Sequence, residues 1–460
     1  MNERKNVYKL PAGDKTLEWY GKAVIEMKTR PTTDPTSWYY QAAMHGFMAS
    51  LPVWQGVAPF PNQNEQREFW NQCQHGSWFF LPWHRMYLAY FEQIVAETIV
   101  ALGGPPDWSL PFWDYSDADN PAARTIPPAF TNPTNASNGL WIAGRQNKTI
   151  PERYVSLDAL NTLPYTGDGR TSPLGFGGPE TAFSHSGRTH GALESLPHDL
   201  VHVAIGGAMG DPRTAGLDPI FWLHHANIDR LWQVWLNRGT RLNPTKTSWL
   251  NFPFAFHDKN GNRVELTSQE VEDTRNVLSG YTYQDVRPGL PTVERFAMEK
   301  PDFSVPLEVV AATNKRVALG AQETVVHLKL TPTKRKVENF RAMNESLDKT
   351  KTAILHFENI KGKGVPPIHD VYLNVPANER NKDAYYAGSI AFFGVEEASK
   401  ASMHQAGSGQ HYALDITGLM HILRSLPNWQ EKQLDVRLEP TREMGADTNL
   451  TIGRISLYSE

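Results

Sequence analysis

The chain has 460 residues, of which 40% are hydrophobic and 20% charged, with a formal net charge of -4. That length is too great for one ordinary core, so two domains, or one large and one smaller, are expected. The near-neutral balance without a long basic run argues against a nucleic-acid partner, and no apolar run approaches the roughly 20 residues that span a bilayer, so neither a nucleic-acid nor a membrane partner is expected. The single cysteine, Cys73, rules out an intramolecular disulfide. The opening M-N-E-R-K-N-V-Y-K-L-P lacks the apolar core of a signal peptide, so a cytoplasmic location is expected unless a leader has been removed.

Residues 15–30 have the apolar spacing of an amphipathic helix, and a second helix leads through W-Y-Y-Q-A-A-M-H to His45. From Trp83 to about Thr98 apolar positions again recur at helical spacing, with Pro82 placed for a helix start and His84 in the opening turn. His75 lies in the loop feeding that helix. Residues 103–190 are rich in Gly, Pro, Asn, Ser and Thr, which reads as long functional loops, with Leu110 to Tyr115 as their one clear anchor.

Glu194 to Trp235 is the densest stretch. His198 and His202 are four apart, the spacing that puts two imidazoles on one helix face. His224 and His225 interrupt a later apolar run bounded by Asp218 and Asp229. Turns and a short helix near Ser268–Leu278 follow, and Tyr281-Thr282-Tyr283 closes the region. Beyond Arg287 alternating segments at 325–330, 353–360, 368–375, 387–394, 434–438 and 450–457 predict antiparallel strands, with one helix around 416–426 and an exposed lysine-bearing loop around 334–351.

His45, His75 and His84 make one candidate triplet. His198 and His202, with a third from the adjacent pair, make another. Imidazole sets without carboxylate or thiolate suit Zn, Cu, Fe or Ni and disfavour Mg and Ca. Two such triplets favour a coupled pair of ions, for which cuprous copper and dioxygen are the best chemical match. A dinuclear zinc hydrolase is the competing reading, although bridging carboxylates would then be expected.

His75-x4-Phe80-Leu81-x-Trp83-His84-Arg85-x2-Leu88-x3-Glu92 and Asp218-Pro219-x-Phe221-Trp222-x2-His225-x3-Asp229 resemble the CuA and CuB signatures of the tyrosinase, catechol oxidase and molluscan haemocyanin family, and Glu194-x3-His198-x3-His202 stands at its expected place. The segments after 305 are similar to the C-terminal domain that covers the copper site of plant polyphenol oxidases. The resemblance implies an α+β two-domain chain. A mainly helical catalytic core over 1–286 would hold two copper ions in a four-helix bundle. A linker over 287–304 and an antiparallel β-sandwich covering domain over 305–460 would follow. CuA would be held by His45, His75 and His84, and CuB by His198, His202 and His225, with His224 and Asp229 supporting the ligands.

The reaction implied is oxidation of o-diphenols to o-quinones by O2, with o-hydroxylation of monophenols, in a latent enzyme. A haemocyanin-like dioxygen carrier is the alternative. Cys73, two residues before His75, is either joined to it by a thioether, as in fungal members, or a small buried thiol. Glu194 resembles the glutamate that holds a water and helps to take the phenol proton; it is otherwise a helix-start glutamate. Asp199 either shares that work or merely orients His198. Arg85, Glu92 and Arg230 read as structural contacts beside the ligand helices, and His185 and His190 as loop or surface histidines. Met209, Arg213 and Leu217, between His202 and His225, are candidate substrate contacts. The partners implied are a phenolic small molecule and O2; the oligomeric state and the native phenol stay open.

Overall fold

The computed structural model describes residues 2–184, 189–287, 307–329, 352–402, 405–426, 429 and 432–459. His185, the lysine-bearing loop and all of the expected linker except Arg287 lie outside them. The chain divides into two compact units: Met1–Gln74, Phe79–Leu160 and Val201–Pro291 form one, and His75–Trp78, Asn161–Leu200 and Thr292–Glu460 the other.

The first unit is mainly helical, with α1 (Thr16–Thr29), α2 (Trp38–His45), α3 (Phe80–Ala101) and α5 (Pro219–Leu236) as its principal helices; α4 (Leu200–Ile205) enters it at Val201. Ser37 caps α2 by accepting from the Tyr40 amide. Asp218 caps α5 by accepting from the Ile220 amide, with Pro219 in the first turn. α3 is buried on nearly every face between Phe80 and Val95, which is why its apolar residues are not confined to one stripe. It begins at Phe80 rather than Trp83. Pro82 is tolerated inside that first turn because the amide it lacks has no intrahelical acceptor there. Aromatic faces join α3 to α5: Phe91 stacks on Trp222 at 3.3 Å between centroids, and Tyr87 meets the same indole at 4.7 Å.

Small sheets complete this unit. β1 (Asn2–Arg4) pairs in parallel with β4 (Tyr281–Tyr283), and β2 (Pro253–His257) forms an antiparallel hairpin with β3 (Arg263–Thr267). The helix expected near Ser268–Leu278 does not form, and only a 3-10 turn at Gln269–Val271 follows the hairpin. The hairpin's own turn is organised by Asp258, which accepts from the Asn260 and Asn262 amides around left-handed Gly261.

In the second unit two antiparallel sheets share one apolar cluster. One runs β10 (Tyr386–Ile390), β9 (His369–Leu373), β14 (Gln433–Pro440), β7 (Thr324–Lys329). The other runs β13 (Gln410–Asp415), β8 (Ala353–Lys361), β15 (Thr451–Ser459), β5 (Glu308–Ala312), with β6 (Val317–Ala318) also on β15. Leu328, Val371 and Val436 from the first meet Leu355, Phe357 and Ile455 from the second in that cluster. The short pair β11 (Ala401–Ser402) and β12 (Gln405–Ala406) and helix α6 (Thr417–Ser425) complete the unit. β5, β6 and β13 were not expected from the sequence.

Residues 161–200 belong to this second unit. They end in a π-type turn over Glu194–Asp199, interrupted by extended Leu196 (φ -148°, ψ 115°) before Pro197, and then run into α4. The residue before a proline is pushed out of the helical region, which breaks the turn at Leu196, and regular α-helix begins at Leu200. No helix among the described residues is long and apolar enough to cross a membrane.

Candidate metal centre

Four of the six proposed ligands lie in the helical unit. His45 ends α2, His84 sits in the second turn of α3, His202 lies on α4 and His225 on α5. All four are buried. Ring nitrogens of His45, His84 and His225 lie within 4.8 Å of one another, and Nε2 of His202 is 3.3 Å from Nε2 of His225. The His84 and His225 rings stack at 4.4 Å.

Three of these rings are anchored through Nδ1 to a main-chain carbonyl: His45 to Pro212 at 2.9 Å, His84 to Phe80 at 2.8 Å and His202 to Met209 at 2.8 Å. A neutral imidazole donating from Nδ1 presents Nε2 as its lone pair, the tautomer and orientation a metal takes. Burial pushes His84 down to about 3, which keeps it neutral. The site residues therefore fit copper or another imidazole-binding metal. Adjacent His224 faces the Tyr115 hydroxyl at 3.1 Å, and the expected anchor at 110–115 is further tied to α5 by the Trp113 amide donating to the Leu223 carbonyl.

Behind these ligands is a charged network on the same unit. Asp229 of α5 accepts from Arg85 Nε at 2.5 Å and from the hydroxyls of Tyr281 and Tyr283, each at 2.6 Å. Arg4 of β1 binds Glu92 and lies 3.7 Å over the Tyr281 ring. Arg230 pairs with Asp114 at 2.9 Å. Met209, Arg213 and Leu217 are all buried. Arg213 pairs with Asp211 at 2.6 Å, and the Leu217 carbonyl accepts from Trp38 Nε1. Cys73 is buried too.

His75 and His198 belong to the second unit, with ring centroids 5.9 Å apart. The His75 amide donates to the Ser184 carbonyl and its carbonyl accepts from the Ser184 hydroxyl, and the next amide, Gly76, donates to Glu194 at 2.9 Å. His198 Nδ1 faces Asp199 Oδ1 at 2.9 Å. Phe393 stands edge-on to both rings, 5.7 Å from each centroid. It is presented by a tight turn in which Phe392 (φ 55°) and Gly394 (φ 77°) are left-handed, while Phe392 itself packs into the apolar cluster and Gln410 clamps the Phe393 carbonyl.

His190 is a correction. It lies in the loop before Glu194 as expected but is fully buried rather than at the surface, and its Nδ1 lies 2.6 Å from Asp199 Oδ2 and 3.8 Å from Glu194 Oε1. Burial disfavours its charge, but the two carboxylates outweigh that and raise its pKa; burial raises Glu194. Tyr412 of β13 also donates to Asp199 Oδ2, at 2.7 Å. Tyr412 did not stand out in the sequence.

Residues 35–141 and 132–238 match the family described as the common central domain of tyrosinase, and 243–294 the polyphenol oxidase middle domain. A tyrosinase of Hahella sp. (strain CCB-MM4) is 42% identical over 478 aligned positions, covering 100% of both chains. The chain belongs to the tyrosinase family. It is accordingly a phenol oxidase of the type 3 copper class, and the histidine clusters are those of a dicopper family. Residues 306–460 match a domain of unknown function. In structure the tyrosinase-family chain is similar to latent apple tyrosinase (24% identity, TM-score 0.62, covering 100% of this chain and 97% of that one) and to a functional unit of octopus haemocyanin (17% identity, TM-score 0.54, covering 99% of each). At these identities the likeness is one of fold.

Proposed function

We propose that this tyrosinase-family chain uses O2 to oxidise o-diphenols to o-quinones and to o-hydroxylate monophenols, and that residues 305–460 hold it latent. CuA is assigned to His45, His75 and His84, and CuB to His198, His202 and His225, in a four-helix bundle within a catalytic domain over 1–286. Residues 287–304 are assigned as linker and 305–460 as a β-sandwich cover. Bound copper would supply the redox couple that activates O2. The observation that carries the reading is the set of Nδ1 anchors, because they turn neutral Nε2 atoms toward one another without a carboxylate among the assigned ligands.

The chain's own residues account for the rest. Glu194 is buried and accepts from the Gly76 amide, beside His75, where it can hold a water that relays the phenol proton. Asp199 fixes the His198 ring through Nδ1. His224 and Asp229 keep α5 in place. Phe393, against His75 and His198, is the side chain we assign to closing the substrate approach. Met209, Arg213 and Leu217 are kept as candidates for substrate contact. A haemocyanin-like carrier is the second reading, favoured by the aromatic cover over two assigned ligands.

Metal analysis and oxygen uptake on the copper-loaded chain test this, with monophenols, catechols and aminophenols as substrates. The expected result is two coppers per chain and sustained uptake with catechols. Reversible O2 binding without uptake would favour the carrier, and a zinc-only protein that hydrolyses esters would overturn both.

A further inference from the structure

α4 has six residues, too few to hold a helix by themselves, and the last carbonyls of any helix find no partner within it. The loop at 144–147 supplies partners for two of them. The Gln146 amide donates to the Ile205 carbonyl at 2.7 Å, and the Asn147 side-chain amide donates to the Ala204 carbonyl at 2.6 Å. The turn after α4 runs through left-handed Gly206 and Gly207, which lie hard against the same loop. A Cβ at Gly206 would stand 2.6 Å from the Gln146 side chain, and one at Gly207 2.6 Å from the Gly144 carbonyl oxygen. Just beyond that turn, the Met209 carbonyl is the acceptor for His202 Nδ1. Arg145 fastens the loop to the start of α5. Its Nε lies 2.9 Å and its Nη2 2.5 Å from the two oxygens of buried Asp218, the cap of α5, while Nη1 and Nη2 also reach the Phe130 and Leu140 carbonyls. Such a fork fixes direction as well as distance.

We propose that Arg145 and Asn147 are positioning residues: through them the 144–147 loop clamps α4 to the start of α5 and so sets the spacing of His202 and His225. The two rings face each other, Nε2 to Nε2, at 3.3 Å. α5 is gripped along its length by Asp229 and by the stack of Trp222 on Phe91, so its place does not depend on the loop alone. α4 takes its place from the loop, which acts on the helix end, on the glycine turn and on the carbonyl that braces His202. An ion held by both rings therefore feels the clamp. His45 and His84 stand on α2 and α3 and are braced elsewhere, by the Pro212 and Phe80 carbonyls. The inference rests on the assignment of His202 and His225 to one copper and of His45 and His84 to the other.

The test is copper(I) titration of the full-length chain against a competing chelator, in two backgrounds. His45→Ala disables the assigned CuA and leaves CuB to be read alone; His202→Ala does the reverse. Asn147 is exposed, so Asn147→Ala keeps the fold while removing the bond to Ala204. It should weaken the remaining ion about tenfold in the His45→Ala background, the lower end of what losing a ligand's support costs, and leave it unchanged in the His202→Ala background. Arg145→Lys keeps the charge but loses the fork on Asp218, and should act in the same direction. In the copper-free chain, hydrogen exchange of amides 203–206 should quicken with Asn147→Ala while that of α3 stays as it is; a general loss of stability would quicken both.

No weakening in the His45→Ala background, or the same weakening in both, would overturn the inference. If His45→Ala and His202→Ala do not each cost one ion, the ligand assignment is what fails, and the exchange of amides 203–206 then decides whether the loop holds α4. Should either histidine variant not fold, Asn147→Ala is titrated in the otherwise unaltered chain. One of two binding steps weakened supports the clamp; neither or both equally overturns it.

Discussion

Gly46 marks how closely one assigned ligand is braced. A Cβ there would lie 2.3 Å from the Pro212 carbonyl oxygen, the atom that accepts from His45 Nδ1. Gly46→Ala must therefore displace the brace, and the loss of such a partner typically costs about 10- to 100-fold in metal affinity or activity. Copper titration should show one of two ions weakened by that order; unchanged affinity for both would remove the carbonyl's role. The Cys73–His75 thioether is tested by intact mass. Copper-loaded protein should lose two hydrogens and resist alkylation, whereas an alkylatable Cys73 of unmodified mass contradicts it. At this scale the assigned ligands were legible because their spacing is itself the signal. His190 was not: it follows a Gly, Ser and Thr run without periodicity, and its burial comes from Asp199 nearby and Tyr412 far along the chain.

Among elements, the Asp229 network joins α3, α5, β1 and β4 in the helical unit. Truncating one partner of a buried ion pair leaves an uncompensated charge and costs about 3–5 kcal/mol, so Arg85→Ala should lower the urea midpoint by that much stability. The pH dependence has a definite sign. Burial opposes the Asp229 charge, but Arg85, Arg4 and the two tyrosine hydroxyls outweigh it and hold the pKa below the carboxylate range. The resulting stability is present above the unfolded carboxylate pKa of about 4 and is lost as pH falls below it. Urea unfolding between pH 6 and 3 should show this slope in wild type and less of it in Asp229→Asn. The helices were legible through their apolar period and, for α5, its Asp-Pro start. The β2–β3 hairpin was not, because F-A-F-H and R-V-E-L are short and bracket a longer turn than the two-residue signal.

Over the whole molecule, the change of texture after Arg287 made the sheet-rich part readable. That residues 75–78 and 161–200 belong to the same compact unit was not readable, since long-range contacts decide it. His369 of β9 packs on Phe392 at 5.3 Å, next to the turn that presents Phe393. Burial pushes this histidine from 6.5 down to about 4. A depressed folded pKa means its contribution is present above pH 6.5 and is lost as pH falls toward 4, by up to about 3 kcal/mol. Unfolding of the sheet-bearing unit should therefore become easier across that window, and His369→Gln should flatten the dependence.

The proposed cover is tested most directly by catechol-driven oxygen uptake of the copper-loaded chain, before and after a cut at an engineered site between 287 and 304. The account predicts low uptake from the intact chain and a large rise once residues 305–460 are released. Equal uptake before and after the cut would contradict it.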